Sequence, residues 1–578
     1  MPAEAILFDP QSGRWLRFHN LVEEIEVHDR DRILPTLDAL EQRVEKAKIY
    51  AAGFVSYEAA AAFDEALQTR PKDDFPLLRF GLFADANPTE LPPPEQPADY
   101  RSWQRTIDEA TFAAQVTAIR EAIARGETYQ VNLTFPLETE GIAQPWSFFR
   151  QLAAAQQSCG AGFLQSERWA ICSISPELFF DRDNRRLTMR PMKGTARRGR
   201  TLAEDRQQAA ALLRSAKNRA ENIMILDMVR NDLGRLATPG TVHTEAICSL
   251  EKYPTVWQLT STVTARTQAT LGQIFQALFP CASITGAPKP KTMAIIAALE
   301  NTPRRIYTGA FGWLAPGRKA HFNVAIRTVL IDRQSGRARY GVGAGITWDS
   351  QGHEEYRECL DKAAALQQSW PDFALLETLR WSPGKGYFLL AEHLSRLASS
   401  AEYFDFPCKP ENVVEFLQQR AVNFPPVPQR VRLLLHADDT LSVEHTTIPP
   451  APARPARLRL ARTPIDSRDP FLYHKTTHRA LYESHLRAAG DADDIVLWNE
   501  RREITECCTA NLVIRRKGRF LTPPLASGLL PGTYRAFLLE RGLLEEAPLL
   551  KNDLRAAESI YLINAVRTWR KVATIEGL

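Results

Sequence analysis

Glu355, Glu358 and Lys362 lie in a stretch of helical composition, GHEEYRECLDKAAAL, entered from what reads as a glycine-rich turn at GVGAG, at spacings i, i+3 and i+7 that put all three on one face. Alone they amount to a solvated Glu–Lys pair, worth about 0.2–0.5 kcal/mol on an exposed helix. Glu221 opens ENIMILDMVRNDLGR, where the helix dipole favours a carboxylate. Two other lysines stand in polar company, Lys193 in RPMKGTARRG and Lys475 in HKTTHRALY, and each by itself reads as a surface cation. His474 and His478 are one helical turn apart, a zinc-like spacing that lacks the glutamate of HExxH. Cys507 and Cys508 read as a small buried pair near a strand end.

The elements that must hold these groups are legible in outline. Strand-like runs such as AICSISPELFFDR alternate with helix-like ones over the first 370 residues, which predicts an α+β or α/β fold. Proline marks the seams. NPTELPPPEQPADY, residues 87–100, reads as a connection between an N-terminal part (1–86) and the helix IDEATFAAQVTAIREAIARGE. Helical YRECLDKAAALQQ stops at SWPDF, placing the main boundary near residue 370, between a domain of 1–368 and one of 371–578. The second domain begins as strand, turn, strand and helix through ALLETLRWSPGKGYFLLAEHLSRLASSAEYF. TTIPPAPARPARLRL then separates a small lobe (371–446) from a large one (461–578) by a linker at 447–460.

Composition narrows the class. At about 100–200 residues per domain, 578 residues are room for roughly three to five units. The 72 Lys and Arg against 68 Asp and Glu give a net charge of +4 with no polybasic run, which argues against a nucleic-acid partner. No apolar run approaches a membrane span and MPAEAILFDPQSGRW has no signal-peptide pattern, so a soluble cytoplasmic protein is expected. The eight cysteines form no CxxC or Cys/His cluster, in keeping with a reduced compartment.

Seven segments in order, SISPELFF (173–180), RPMKGTARRG (190–199), ENIMILDMVRNDLGR (221–235), SITGAPKPKTM (283–293), IYTGAFGWL (306–314), HFNVAIRT (321–328) and GVGAGITWDSQGHEEYRECLDKAAAL (341–366), resemble the chorismate-utilising enzymes. That family includes the anthranilate, isochorismate, salicylate and aminodeoxychorismate synthases. The resemblance implies a large domain of stacked antiparallel sheets flanked by helices. It also implies Mg²⁺, with Glu221 and Glu358 from different helices as hard oxygen ligands and Glu355 acting through a metal-bound water. The ion turns the ring carboxylate of the substrate into an electron sink. Arg327 offers a planar fork to the other carboxylate. Tyr307, Thr285, Thr195, Gly343, Gly345 and Lys362 match positions lining the same pocket.

Lys193 discriminates within the family, because aminodeoxychorismate synthases resemble PMKGT with lysine here, whereas anthranilate and isochorismate synthases carry alanine. A lysine beside a cation and a buried substrate can have its pKa lowered enough to be a nucleophile. By the resemblance, Glu177 in SISPELFF is the general acid that protonates the departing hydroxyl. Gln130 in GETYQVNLT stands where water-using members have a lysine base. One departure is Gln258 in VWQLTSTV, at a position where relatives carry His; it can donate a hydrogen bond but cannot carry a proton. Because no glutaminase nucleophile motif is recognisable, a separate glutamine amidotransferase subunit is the expected ammonia source.

HLSRLASSAEYF, HKTTHRALY, REITECCTANLVI and TPPLASGLLPGTYR resemble the fold-type IV pyridoxal phosphate enzymes, which imply a two-lobed domain. There the lysine matching Lys475 bonds the cofactor, the glutamate matching Glu506 pairs with its ring nitrogen, and Arg396 and Thr533 hold its phosphate. Asn511 supports the site. Motifs shared across that family do not separate transaminase from lyase. Context favours the lyase, whose substrate is the product of the first half, and Thr378 in ETLR aligns with a lyase threonine that protonates the leaving group. The expectation is a fused enzyme making 4-aminobenzoate from chorismate and ammonia. Its rivals are an anthranilate synthase-like half joined to an amino-acid transaminase, and a silent C-terminal docking domain. A homodimer through the C-terminal half is a further possibility that the resemblance raises.

Overall fold

In the computed structural model the described residues are 4–92, 102–156, 160–363, 366, 371–451 and 454–578. Contacts divide the chain into two compact units, Met1–Arg197 with Ala209–Trp370, and Arg198–Gln208 with Pro371–Leu578. The second unit thus takes in a short segment from the middle of the first domain's sequence, which the linear division at 370 does not anticipate. The stretch read as a connection at 87–100 begins inside a strand, Leu78–Thr89. Its residues 93–100 lie outside the described residues, as do 367–370 at the main boundary and 452–453 in the expected linker.

Among the described residues the first unit holds eighteen strands joined in one antiparallel hydrogen-bonded network. One apolar cluster, including Leu7, Phe18, Phe54, Phe83, Ile171 and Phe311, comes from strands and loops with no helical residue, so the network packs against itself. Two others are covered by helices: Leu37, Leu40, Ile225 and Val229 on one, Phe112, Val116, Tyr356 and Cys359 on the other.

Six elements position the site: β1 (Gln130–Glu140), β2 (Met192–Arg197), α1 (Ala216–Gly234), β3 (Val256–Arg266), β4 (Arg337–Ile346) and α2 (Gly352–Ala363). The glycine-rich stretch 341–346 belongs to strand β4, whose Gly341, Gly343 and Gly345 pair opposite Pro136, Thr134 and Asn132 of β1. These glycines share one face by strand alternation, and their missing Cβ atoms leave room for close neighbours. The Tyr307 ring fills that room at Gly341 and the Thr134 methyl at Gly343. Helix α1 starts earlier than the sequence suggests, at Ala216, with Ser215 accepting from the Asn218 amide. Glu221 therefore lies beyond the first turn, out of the range in which the dipole acts. Between β2 and β3 the register slips: Met192 pairs with Thr260 and Thr195 with Gln258, so Lys193 and Gly194 face Leu259 alone. Gly194 turns this bulge at φ +94°, with the Asn218 Cβ only 3.2 Å from where a side chain would start.

In the second unit, β5 (Leu375–Ser382) lies in a four-stranded antiparallel sheet with Gly386–Tyr387, Gln429–Leu435 and Leu441–Thr447, beside α3 (Leu390–Phe404). The other lobe is an eight-stranded mixed sheet in which Ala456–Leu460 runs parallel to both of its neighbours. Strands therefore claim both ends of the expected 447–460 linker. This lobe also contributes α4 (Ala480–Arg487), β6 (Ile504–Cys507), β7 (Asn511–Arg516) and α5 (Thr533–Glu540). HKTTH precedes α4 as loop, so His474 and His478 are not a helical pair. Among the described residues no helix is long and apolar enough to cross a membrane.

Candidate active sites

The β2–β3 bulge directs Lys193 at the face of β4. A Cβ on Gly345 would lie 2.7 Å from the Lys193 Nζ and 2.5 Å from the Gln130 Nε2, so these two side chains meet over a glycine that nothing larger could replace without displacing them. Burial drives the Lys193 amine below the usual lysine range; Lys362 pushes the same way, while Glu221, Glu358 and Glu177 pull against it. Glu177 is 2% exposed and accepts from the Ser283 hydroxyl at 2.5 Å. Burial pushes its carboxyl up to about 7, against the opposing effects of Ser283 and Lys193. The site thus pairs an amine held low with an acid held high, the combination needed for attack and for leaving-group protonation.

The predicted pocket residues fall into two groups. Lys193, Glu177, Gln130, Gly345, Gly343 and Lys362 are linked by contacts or charge: Lys362 donates to the Gly343 carbonyl at 2.8 Å and pairs with Glu358 at 2.7 Å. Thr195 donates to Gln258 Oε1 at 2.9 Å across the β2–β3 ladder. Gln130 Oε1 is buried without a hydrogen-bond partner among the described residues. The half-buried Tyr307 packs its ring against Gly341, and loss of solvent around the phenol holds it well above the ordinary range. Thr285 is buried in the loop whose carbonyl accepts from the Asn132 amide of β1 at 2.8 Å. Arg327 sits at φ +48° and forms no ion pair among the described residues.

The three expected metal ligands are not gathered into one cluster. Among the described residues no group of three His, Cys, Asp or Glu is poised for a metal. Two of these carboxylates have partners of their own: Glu358 pairs with Lys362, and Glu355 accepts from the Ser350 hydroxyl at 2.7 Å. For Glu358 the cost of burial is outweighed by Lys362, which leaves it lowered; burial leaves Glu355 raised. Glu221 on α1 and Glu358 on α2 still act on the same amine from two directions.

In the second unit Lys475 sits in the loop before α4, where its carbonyl accepts from Leu376 of β5 at 2.8 Å. Burial lowers its amine to about 8, assisted by Arg396 and Arg479 and opposed by Glu377 and Glu506. Glu506 is buried on β6 and accepts from Tyr482 at 2.9 Å, Asn511 at 3.2 Å and the Leu530 amide at 3.2 Å; burial lifts it to about 7. Arg396 on α3 forks onto both oxygens of Glu377, at 2.8 and 2.6 Å, and reaches the Pro531 carbonyl at 3.0 Å. Thr533 begins α5, with His393 Nε2 3.3 Å from its hydroxyl. His474 is neither exposed nor metal-like: it stacks on Tyr403 at 4.3 Å and meets Ser400 at 2.9 Å. The 198–208 segment braces this region, as Arg198 lies over the Tyr403 ring and Arg200 donates to Tyr473 at 3.0 Å. Cys507 and Cys508 are a buried unpaired couple.

Several partners have no sequence signal of their own. Glu377 joins Arg396 to His393 Nδ1 at 2.6 Å, and the Arg396 guanidinium and His393 imidazole beside it bring it down to about 2 despite its burial. It adjoins Thr378 on β5, whose side chain strand alternation sends to the opposite face. In the first unit the buried Arg304 bonds Glu300, the Ile284 carbonyl and the Asn132 carbonyl, tying the Thr285 loop to β1.

The chorismate binding enzyme family matches residues 3–368 and the amino-transferase class IV family residues 374–575. An aminodeoxychorismate synthase of Streptomyces griseus is 39% identical over 284 residues, 48% of this chain and 38% of that protein. Aminodeoxychorismate synthase component 1 of Salmonella typhimurium is 37% identical over 263 residues, 45% of this chain and 58% of that protein. The chain thus spans well under two thirds of either relative. Anthranilate synthase component I from Streptococcus pneumoniae has a similar fold, with a TM-score of 0.54 and 25% identity over 64% of this chain and 93% of that one.

Proposed function

We propose that this chain, which belongs to the chorismate binding enzyme family through residues 3–368, makes 4-aminobenzoate from chorismate and ammonia in two consecutive reactions. The first unit would form 4-amino-4-deoxychorismate and the second would expel pyruvate from it. The observation that carries this reading is the lowered Lys193 amine facing the raised Glu177 acid, a pair suited to amination and absent where alanine replaces the lysine.

Lys193 attacks ring carbon 2 while the carbon 4 hydroxyl leaves as water, protonated by Glu177. Ammonia, delivered by a glutamine amidotransferase subunit, then adds at carbon 4 and expels the lysine. The unpartnered Gln130 Oε1 fits an N–H of that ammonia. Arg327 would fork onto the side-chain carboxylate, and Tyr307, Thr285 and Thr195 would line the same pocket. Glu221 and Glu358 would hold Mg²⁺, with Glu355 through water; two carboxylates plus substrate oxygens suit that ion's habit. When bound, it would draw charge from the ring carboxylate.

The second unit fits pyridoxal phosphate: a buried lysine, a buried carboxyl at the end of β6, and an arginine with a helix start for the phosphate. That group supplies an electron sink. Lys475 would hold it and take the ring proton, Glu506 would keep its ring nitrogen charged, Arg396 and Thr533 would bind its phosphate, and Thr378 would protonate the leaving group. Incubating the chain with chorismate, Mg²⁺, ammonium and pyridoxal phosphate should yield 4-aminobenzoate and pyruvate. Formation of 2-aminobenzoate would overturn the first assignment, and an aminated product that never releases pyruvate would overturn the second.

A further inference from the structure

Asn222 follows Glu221 on α1 and is 2% exposed. Its amide is fully used. Nδ2 donates to the Lys193 carbonyl at 3.0 Å and to the Leu259 carbonyl at 3.1 Å, while Oδ1 accepts from the Ser261 hydroxyl at 2.5 Å and the Cys248 thiol at 3.7 Å. The two carbonyls belong to the two sides of the β2–β3 bulge, where Lys193 and Gly194 oppose Leu259 alone. A bulge leaves backbone groups without ladder partners, and a buried carbonyl must find a donor elsewhere.

We propose that Asn222 is a positioning residue for amination, stapling the bulge that aims Lys193. The proposal rests on the reading of Lys193 given above. One helix turn then serves both sides of the reaction: Glu221 faces the amine as charge, and Asn222 fixes the backbone from which that amine extends. Ser261 and Cys248 orient the amide so that its N–H groups, not its oxygen, meet the two carbonyls. Gly194 makes the bulge possible, and Asn222 keeps it in one register.

The test uses the full chain. Asn222→Leu keeps the volume and removes both donors; Ser261→Ala keeps the amide and removes one group that orients it. With ammonium as nitrogen source, Asn222→Leu should lower kcat by about 100-fold, the cost typical of a misplaced reacting group, with KM for chorismate within about threefold. Ser261→Ala should lower kcat several-fold in the same direction. A second readout needs no turnover: cyanate modification of Lys193 across pH, followed by peptide mass spectrometry, with the exposed Lys385 in the same digest as internal control. The Lys193 midpoint should move toward that of an ordinary lysine in Asn222→Leu while the Lys385 midpoint stays. A lower melting temperature with unmoved kcat and Lys193 midpoint would overturn the staple. Should Asn222→Leu fail to fold, an unmoved midpoint and kcat in Ser261→Ala would do the same. Wild-type protein that makes no aminated product would sink the amination reading, yet the labelling profile would still report on the staple.

Discussion

Lys193 and Gly345 are in contact across the candidate pocket, the lysine Nζ lying 2.7 Å from the position a Cβ on Gly345 would occupy. Gly345 is not in the left-handed region, so space and not backbone strain is what requires glycine there. Gly345→Ala should fold, as judged by its circular dichroism and melting temperature. Its ammonia-dependent turnover should drop by about 100-fold, because displacing a reacting group by an ångström has that order of cost.

Glu177, at about 7, must be protonated to act as an acid. The rate should therefore fall as pH rises through about 7, and the Lys193 amine, lowered by burial, must be deprotonated to attack. Glu177→Gln should cost about 10²–10⁴-fold in kcat. Ser283→Ala removes a hydrogen bond that favours the charged carboxylate, so the alkaline limb of the pH–rate profile should move upward.

Glu377 is a buried carboxylate held at about 2 by Arg396 and His393. Because its folded value is depressed from 4.5, its contribution to stability is present above 4.5 and disappears as the pH falls through about 2. Glu377→Gln strips a buried cation of its partner and should destabilise the protein by about 3–5 kcal/mol. Denaturant titration at pH 7 measures that loss, and cofactor titration should show weaker pyridoxal phosphate binding because Arg396 is no longer oriented.

Lys475→Ala should abolish the visible absorbance of bound pyridoxal phosphate and halt the sequence after the first product. Chromatography would then show 4-amino-4-deoxychorismate accumulating in place of 4-aminobenzoate and pyruvate. Unchanged pyruvate release in this variant would remove Lys475 from the second reaction.

The sequence alone determined the order of chemistry: seven segments ending in the α2 carboxylates, a lysine in PMKGT, and a second lysine in HKTTH far downstream. It also indicated the α+β class and the strand, turn, strand and helix at 374–404, because periodicity and proline placement are local properties. Other features could be decided only by tertiary structure. Gly341, Gly343 and Gly345 look like a turn in one dimension, but β1 opposite them makes the stretch a strand and neighbouring side chains fill the missing Cβ space. Glu221 loses its place at a helix start because Ser215 caps six residues earlier. Asn222, Ser283, Glu377 and Tyr482 lie inside the quoted segments without showing a role there, since each matters through one partner distant in sequence: Lys193, Glu177, Arg396 and Glu506. The pKa values of the two lysines and their acids belong to this second class, because burial and neighbouring charge exist only once the chain has folded.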